Sequence, residues 1–130
     1  MPKNDPQFVK NIAFGNRLAD LRGDQNNQDI IAWPRNGGIN QQFSFVPEHG
    51  KEYKVSTTDS NGNGDTLVGG GESSTYTVQQ YNGYWHISID CDDGKPLFWT
   101  LTSGAAGTKI TLQHANNNVN QLWSFLDVLN

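Results

Sequence analysis

The stretch IIAWPRNGGINQQFSF, residues 30–45, joins an apolar run, a Trp-Pro pair, a Gly-Gly turn and a run ending in alternating aromatic residues. A similar stretch, ITLQHANNNVNQLWSF, occupies residues 110–125. Both begin with isoleucine, carry Asn-Gln two positions before an aromatic residue, and end in Ser-Phe. Residues 18–45 align without a gap on the chain 80 positions further along. The chain therefore contains an internal repeat.

The spacing of the two copies indicates how many repeats there are. A twofold repeat with units of 80 residues does not fit a chain of 130 residues. Three units of about 40 residues, with a diverged middle copy, do fit. We predict one domain with repeats over residues 7–47, 48–81 and 82–130. Matching positions are closer together in the middle repeat, which predicts the loss of about one strand and leaves eleven legible strands of twelve.

Apolar residues alternate with polar ones in short runs along most of the chain, whereas helical periodicity is poor. Asn-Gly, Gly-Gly and Asp-Gly pairs separate these runs, as in proteins made of many short strands. The sequence therefore predicts an all-β fold. The predicted strands are FVKNIAF, RLADL, DIIAW and QQFSFV in repeat one, EYKVSTT, TLVGG and TYTVQQ in repeat two, and YWHISI, LFWTL, TKITLQ and QLWSFLDV in repeat three.

Composition restricts the class of partner. Charged residues make up 17% of the chain, below the roughly 25% of typical soluble domains. The net charge is −4 and the basic residues are scattered, so nucleic acid is not an expected partner. No apolar segment predicts membrane insertion or a secretory signal, and Cys91 has no second cysteine to pair with, which favours the cytosol. A surface rich in Asn, Gln, Ser and Thr suits neutral polar ligands.

Patterns typical of enzymes are missing from the sequence. His49, His86 and His114 do not have the spacing of metal ligands, and no nucleophile motif is present. Asp92 and Asp93 stand in an Asp-Asp-Gly sequence that is typical of a hairpin tip rather than of an acid/base pair. The sequence therefore predicts a protein without catalytic residues, metal or cofactor.

Two short motifs resemble the Gln-x-Trp signature of the ricin-B-type lectins. The motif is complete at Gln121-Leu122-Trp123 and varied at Gln41-Gln42-Phe43. Repeat one also carries the family's Leu-x-Asp-Leu strand at residues 18–21 and an apolar strand ending in Trp33-Pro34. The short chain and its NGGINQQF segment are most similar to the small lectins of mushroom fruiting bodies. The resemblance implies a β-trefoil of three four-stranded repeats.

The resemblance covers residues 16–45 and 97–127, about half of the chain, and it implies a shallow pocket for one galactose-type sugar in each complete repeat. Such a pocket needs a carboxylate that accepts hydrogen bonds from vicinal hydroxyls, and an aromatic ring over the apolar side of the sugar. An amide reaches a further hydroxyl. In repeat one the resemblance assigns these three roles to Asp20, Trp33 and Asn40.

Three other residues of repeat one complete the predicted site. Asn36 precedes the Gly-Gly turn and is expected to contact a second sugar. Gly38 has no side chain, which lets backbone N–H groups approach the ligand. Gln41 is included in the site, but its expected role is structural, holding the turn through backbone hydrogen bonds.

Each of these assignments has an alternative in which the residue serves the fold. In that alternative Asp20, which is near a polar loop, caps a turn. Trp33 belongs to the core instead of contacting a sugar. The pair Asn40-Gln41 recurs at Asn120-Gln121, which favours a fold-maintaining role for both. Ile31 departs from the family pattern, since related sites often have a polar residue at that position.

Repeat three keeps the framework of repeat one but not its chemistry. Thr100 replaces Asp20, and Gln113 replaces Trp33. Without a carboxylate or a ring, galactose binding is expected to be weak, absent or differently tuned. The possible second site comprises Thr100, His114, Asn116 and Asn120. No site is expected in repeat two.

The sequence thus predicts a cytosolic lectin for terminal galactose or N-acetylgalactosamine. One shallow site binds weakly, so we expect a homodimer that presents several sites together. Tyr76, Tyr81 and Tyr84 are candidates for its interface. A location in the core is an equal alternative for each of them. Two alternatives are a β-trefoil protease inhibitor acting through a loop, and a trefoil scaffold whose sugar sites have decayed.

Overall fold

The structure is a computed structural model, which describes residues 5–21, 30–36, 41–57, 75–90 and 95–128. These residues form ten β-strands and a short 3-10 helix at Val119–Gln121. The strands are β1 (Gln7–Asn11), β2 (Leu18–Leu21), β3 (Ile30–Trp33), β4 (Phe43–His49), β5 (Glu52–Thr57), β6 (Thr75–Tyr81), β7 (Tyr84–Asp90), β8 (Pro96–Thr100), β9 (Thr111–Gln113) and β10 (Trp123–Asp127).

The strands follow the predicted segments, several of them with shorter bounds. FVKNIAF stops pairing at Asn11, whose Oδ1 accepts a hydrogen bond from the N–H of Phe14 (3.0 Å) and turns the chain toward β2. TKITLQ forms a strand only from Thr111 onward. The TLVGG segment and the predicted shortening of repeat two lie outside the described residues.

Six of the strands pair in a closed ring. β1 pairs with β4, β4 with β5, β5 with β6, β6 with β7, β7 with β10, and β10 again with β1, all antiparallel. The other four strands form two hairpins, β2–β3 and β8–β9. A six-stranded barrel carrying hairpins is the architecture of a β-trefoil, so the predicted fold is confirmed.

The two hairpins have the same register. Leu18 pairs with Trp33 in β2–β3, and Phe98 pairs with Gln113 in β8–β9, each residue 80 positions later in the chain. The alignment seen in the sequence therefore holds residue by residue in the hairpins. The hairpins also touch, because the N–H of Ile110 donates to the carbonyl oxygen of Ile30 (2.9 Å).

One tryptophan fills the centre of the core. Trp99 on β8 is fully buried and makes edge contacts with Phe43 on β4, Tyr76 on β6 and Trp123 on β10, at centroid distances of 6.4, 5.8 and 5.9 Å. Such aromatic pairs contribute about 0.5–1.5 kcal/mol each beyond the burial of their surface. The position that matches Trp99 in repeat one is Ala19, which is also fully buried. The core is thus asymmetric, with the large central residue supplied by repeat three.

The three tyrosines considered for an interface lie in different environments. Tyr76 is fully buried in the core, whereas Tyr81 and Tyr84 are 48% and 41% exposed. Tyr81 and Tyr84 pair directly across the turn at Asn82-Gly83, where both turn residues have positive φ, as a two-residue Asn-Gly hairpin requires. This turn lies at one predicted limit between repeats, and those limits stay a prediction. Within the described ranges, no helix has the length and apolar character needed to cross a membrane.

Candidate functional site

The side chain of Gln41 holds the predicted site of repeat one together. Gln41 is fully buried, and its Nε2 donates to Oδ2 of Asp20 and to the carbonyl oxygen of Pro34, both at 2.9 Å. Its Oε1 accepts the N–H of Asn36 at 3.0 Å. Gln41 therefore holds its turn as predicted, and it also orients the carboxylate of Asp20. We call these three hydrogen bonds the glutamine clamp of repeat one.

Repeat three contains the same clamp. Nε2 of Gln121 donates to Oγ1 of Thr100 (3.0 Å) and to the carbonyl oxygen of His114 (2.8 Å), and its Oε1 accepts the N–H of Asn116 (3.1 Å). Every partner lies 80 positions after its counterpart in repeat one. The conserved geometry of the two clamps shows that Gln41 and Gln121 belong to the framework of the fold.

The register of β2–β3 puts Asp20 and Trp33 on the same side of the hairpin. Asp20 pairs with Ile31 and Leu18 pairs with Trp33, so Asp20 and Trp33 are diagonal neighbours, about 7–8 Å apart. Trp33 is 40% exposed, so it stands on the surface rather than in the core, while Asp20 is 3% exposed. The hairpin thus puts a ring beside a carboxylate, and the sugar-binding roles of these two residues stay a prediction.

The matching positions of repeat three are differently occupied. Thr100 is fully buried, and its hydroxyl donates to the carbonyl oxygen of Phe98 (2.8 Å) while accepting from Gln121. Gln113 is half-buried, with its Nε2 donating to Oγ1 of Thr111 (2.9 Å). The polar groups at these positions are thus engaged in hydrogen bonds within the protein.

Asn116 and Asn120, predicted for a possible second site, are linked to each other in the loop before β10. Nδ2 of Asn116 donates to Oδ1 of Asn120 (3.3 Å). Asn118 also links the two residues, because its N–H donates to Oδ1 of Asn116 and its Oδ1 accepts the N–H of Asn120. The carbonyl oxygen of Asn120 accepts from Nδ2 of Asn11 (3.1 Å). His114 is exposed, and its carbonyl oxygen is held by the clamp. The asparagines therefore organise this loop.

The structure brings together four of the six predicted residues of repeat one. Asp20, Trp33 and Gln41 form the arrangement described above, and Asn36 is exposed beside them with its N–H held by Gln41. Gly38 and Asn40 lie outside the described residues, so their roles stay predictions.

Two contacts at this site were not foreseen from the sequence. The first is the bond between Gln41 and Asp20, whose signal was present as the equal 21-residue spacing of Asp20 to Gln41 and Thr100 to Gln121. The second is the guanidinium of Arg35, which lies 4.7 Å from the centroid of the buried ring of Phe8. No spacing rule connects those two residues.

An aromatic cluster lies where β6, β7 and β8 are neighbours, formed by Tyr81 on β6, His86 on β7 and Phe98 on β8. The rings of Tyr81 and His86 stack at 4.9 Å, and Phe98 meets His86 edge-on at 4.8 Å. Burial lowers the pKa of His86 below its usual value of 6.5. Within the described part of the chain, no three His, Cys, Asp or Glu side chains are grouped to hold a metal ion.

No family model and no curated protein matches the chain. Among solved structures, a ricin B-like lectin of Macrolepiota procera in complex with lactose is similar at 19% identity and a TM-score of 0.76, covering 98% of each chain. The agglutinin of Rhizoctonia solani is similar at 18% identity and a TM-score of 0.77, covering 98% of this chain and 97% of that one.

A lectin of Polyporus squamosus bound to a sialylated epitope is similar at 22% identity and a TM-score of 0.68, covering 96% of this chain and 49% of that one. Identities of this size bear on the fold alone. The resemblance to ricin-B-type lectins is thus confirmed for the architecture, and the chain has the β-trefoil fold that these fungal lectins share.

Proposed function

We propose that the protein is a non-catalytic lectin whose repeat-one site binds terminal galactose or N-acetylgalactosamine. One observation carries the proposal: the glutamine clamp orients the carboxylate of Asp20 beside the exposed ring of Trp33. Repeat three has the same clamp with neither a carboxylate nor a ring. The framework therefore does not by itself require Asp20 and Trp33, which supports a role for both residues in ligand binding.

The chemistry of the two side chains suits a hexose with an apolar face. A carboxylate accepts hydrogen bonds from two vicinal hydroxyls, and such charge-assisted bonds are stronger than neutral ones. An exposed indole offers a flat apolar surface for the C–H groups on the other side of the sugar. Because Gln41 already fixes Asp20, little side-chain freedom is lost on binding. Asn36 and, by prediction, Asn40 would contact hydroxyls further along the glycan.

The similar structures support the same class of ligand. The Macrolepiota procera protein is a lectin seen with lactose, and the Rhizoctonia solani protein is an agglutinin. The choice of galactose or N-acetylgalactosamine as terminal sugar belongs to our proposal, as do a cytosolic location and a homodimer. The exposed pair Tyr81 and Tyr84 is the proposed contact between copies.

A glycan array followed by titration calorimetry with lactose tests the proposal through exchanges between the two repeats. Asp20→Thr installs the residue of repeat three, which the clamp accommodates there, so the loss of the carboxylate can be measured with the turn intact. We expect the affinity for lactose to fall by about tenfold to a hundredfold, the equivalent of about 1.5–3 kcal/mol for hydrogen bonds to a charged group. Trp33→Gln should weaken binding in the same direction.

The reciprocal variant, Thr100→Asp with Gln113→Trp, should add a second binding event per chain. Gln113→Ala, in the otherwise unchanged protein, is the matched control and should leave lactose affinity at the wild-type value. Lactose binding that survives Asp20→Thr would refute the repeat-one site. An array with no glycan bound at all would instead favour the protease inhibitor or the decayed scaffold.

A further inference from the structure

We infer that repeat one has an anion subsite beside its sugar site, in which Arg35 binds an acidic substituent of a galactose-type ligand. The substituent is a sulfate ester or a carboxylate, two groups with the same fork of acceptor oxygens for a guanidinium. The inference rests on the proposed galactose site and names the class of glycan that this site prefers.

The glutamine clamp fixes the backbone on both sides of Arg35. Gln41 holds the carbonyl oxygen of Pro34, the preceding residue, and the N–H of Asn36, the following residue. Arg35 is therefore the middle residue of a clamped segment that begins directly after Trp33-Pro34. The backbone of Arg35 is therefore held in place two residues after Trp33.

The side chain of Arg35 is positioned as well. Its guanidinium lies over the ring of Phe8, 4.7 Å from the centroid, and the residue is exposed to solvent. In the described part of the chain no carboxylate forms an ion pair with Arg35. A guanidinium has five N–H donors, and stacking on a ring uses none of them. These donors are available to a ligand.

A second cation lies on the same face. Lys10 pairs with Leu18, and Leu18 pairs with Trp33, so the three residues form one row across β1, β2 and β3. Neighbouring strands are about 4.8 Å apart, which puts the backbone of Lys10 about 10 Å from that of Trp33. Asp20 would repel an acidic group, so such a group has its favourable position beside Arg35 or Lys10. This side of the β2–β3 hairpin thus offers one position for sugar hydroxyls, at Asp20, and another for an acidic group, at Arg35 or Lys10.

Repeat three has the clamp but neither of the two cations. Its clamp encloses Ala115 in place of Arg35, and the ring in the place of Phe8 is that of His86, which is stacked on Tyr81 instead of on a cation. Ser88 occupies the place of Lys10, because Ser88 pairs with Phe98 as Lys10 pairs with Leu18. Lys10 and Arg35 both belong to the repeat that has Asp20 and Trp33, and Lys109 of repeat three pairs with Ile31, the strand partner of Asp20.

The test compares dissociation constants for lactose, a sulfated lactose and sialyllactose, measured by calorimetry on the full chain. The two acidic sugars distinguish a sulfate from a carboxylate. We expect at least one of them to bind about three- to tenfold tighter than lactose at low salt, and the preference to shrink at about 1 M salt, where charges are screened.

Arg35→Ala installs the residue of repeat three and should bring the ratio of the acidic sugar to lactose close to one. Arg35→Met keeps an apolar stem over Phe8 without the charge and should do the same, which separates charge from folding. Lys51→Ala, which removes an exposed cation on the β4–β5 turn, should leave the ratio unchanged.

Two results would overturn the inference while leaving the galactose site in place: acidic sugars that bind the wild type no tighter than lactose, or a preference that persists in both Arg35 variants. If none of the three sugars binds, the proposed function fails and the anion subsite fails with it.

Discussion

The β2–β3 hairpin of repeat one and the β8–β9 hairpin of repeat three share one backbone and carry different side chains. Their registers agree pair by pair, and in each a buried glutamine binds a polar side chain, a carbonyl oxygen and an N–H. At the matching positions repeat one has Ala19, Asp20 and Trp33, whereas repeat three has the core residue Trp99, then Thr100 and Gln113.

This difference indicates that repeat one and repeat three of this protein have different roles. Repeat three supplies the large residue at the centre of the core, and its outer polar groups bond within the protein. Repeat one contributes only a methyl group to that position and presents a ring and a cation at the surface, beside the buried carboxylate of Asp20. One scaffold thus stabilises the fold through one copy and recognises a ligand, by our proposal, through another.

The largest effect is expected from the core position. Trp99→Ala leaves a cavity between three aromatic rings and should lower the free energy of unfolding by about 3–5 kcal/mol. Trp33→Ala, at the exposed tryptophan of the other hairpin, is the matched control and should change it by less than about 1 kcal/mol. Urea denaturation of both variants measures the contrast. Similar losses would mean that the two tryptophans do not divide the tasks as described.

A smaller difference is expected between the two clamps. Gln41→Ala removes the donor to a buried carboxylate, and Gln121→Ala removes the donor to a buried hydroxyl. Hydrogen bonds to charged groups are stronger, so Gln41→Ala should be the more destabilising by about 1–2 kcal/mol. In hydrogen exchange, the amides of Asn36 and Asn116 should lose protection in the respective variants. Equal losses of stability would show that the charge of Asp20 does not strengthen its hydrogen bond with Gln41.

The smallest effect is a pH dependence that belongs to repeat three. The pKa of His86 is lowered by burial, so the unfolded chain takes up a proton near pH 6.5 and the folded protein only at lower pH. The stability that neutral His86 contributes is therefore present above pH 6.5 and is lost as the pH falls from there to the lowered pKa. His86→Phe installs the ring that repeat one has at Phe8 and should flatten the acid side of the profile. Denaturation of both proteins across this range measures the difference, and identical profiles would contradict it.

Much of this arrangement could be predicted from the repeat. The 80-residue offset predicted the matching hairpins and the turn-holding role of Gln41, whereas the weakened sugar site of repeat three stays a prediction. The same offset could not reveal Trp99, because alignment places alanine against it and the sequence does not show which residue reaches the centre of three converging strands. The exposure of Trp33 follows from the pairing of β2 with β3, which composition leaves open. The contact of Arg35 with Phe8 depends on the path of the whole repeat.

The closure of the barrel has a consequence for how the chain folds. β1 pairs with β10 over five residue pairs, from Gln7 with Asp127 to Asn11 with Trp123. Until β10 is in place, β1 and β7 each lack a neighbour, and bringing sequence-distant strands together carries a cost in loop-closure entropy that local hairpins do not. We therefore expect the β1–β10 pairing, which joins strands far apart in the sequence, to form after the local hairpins.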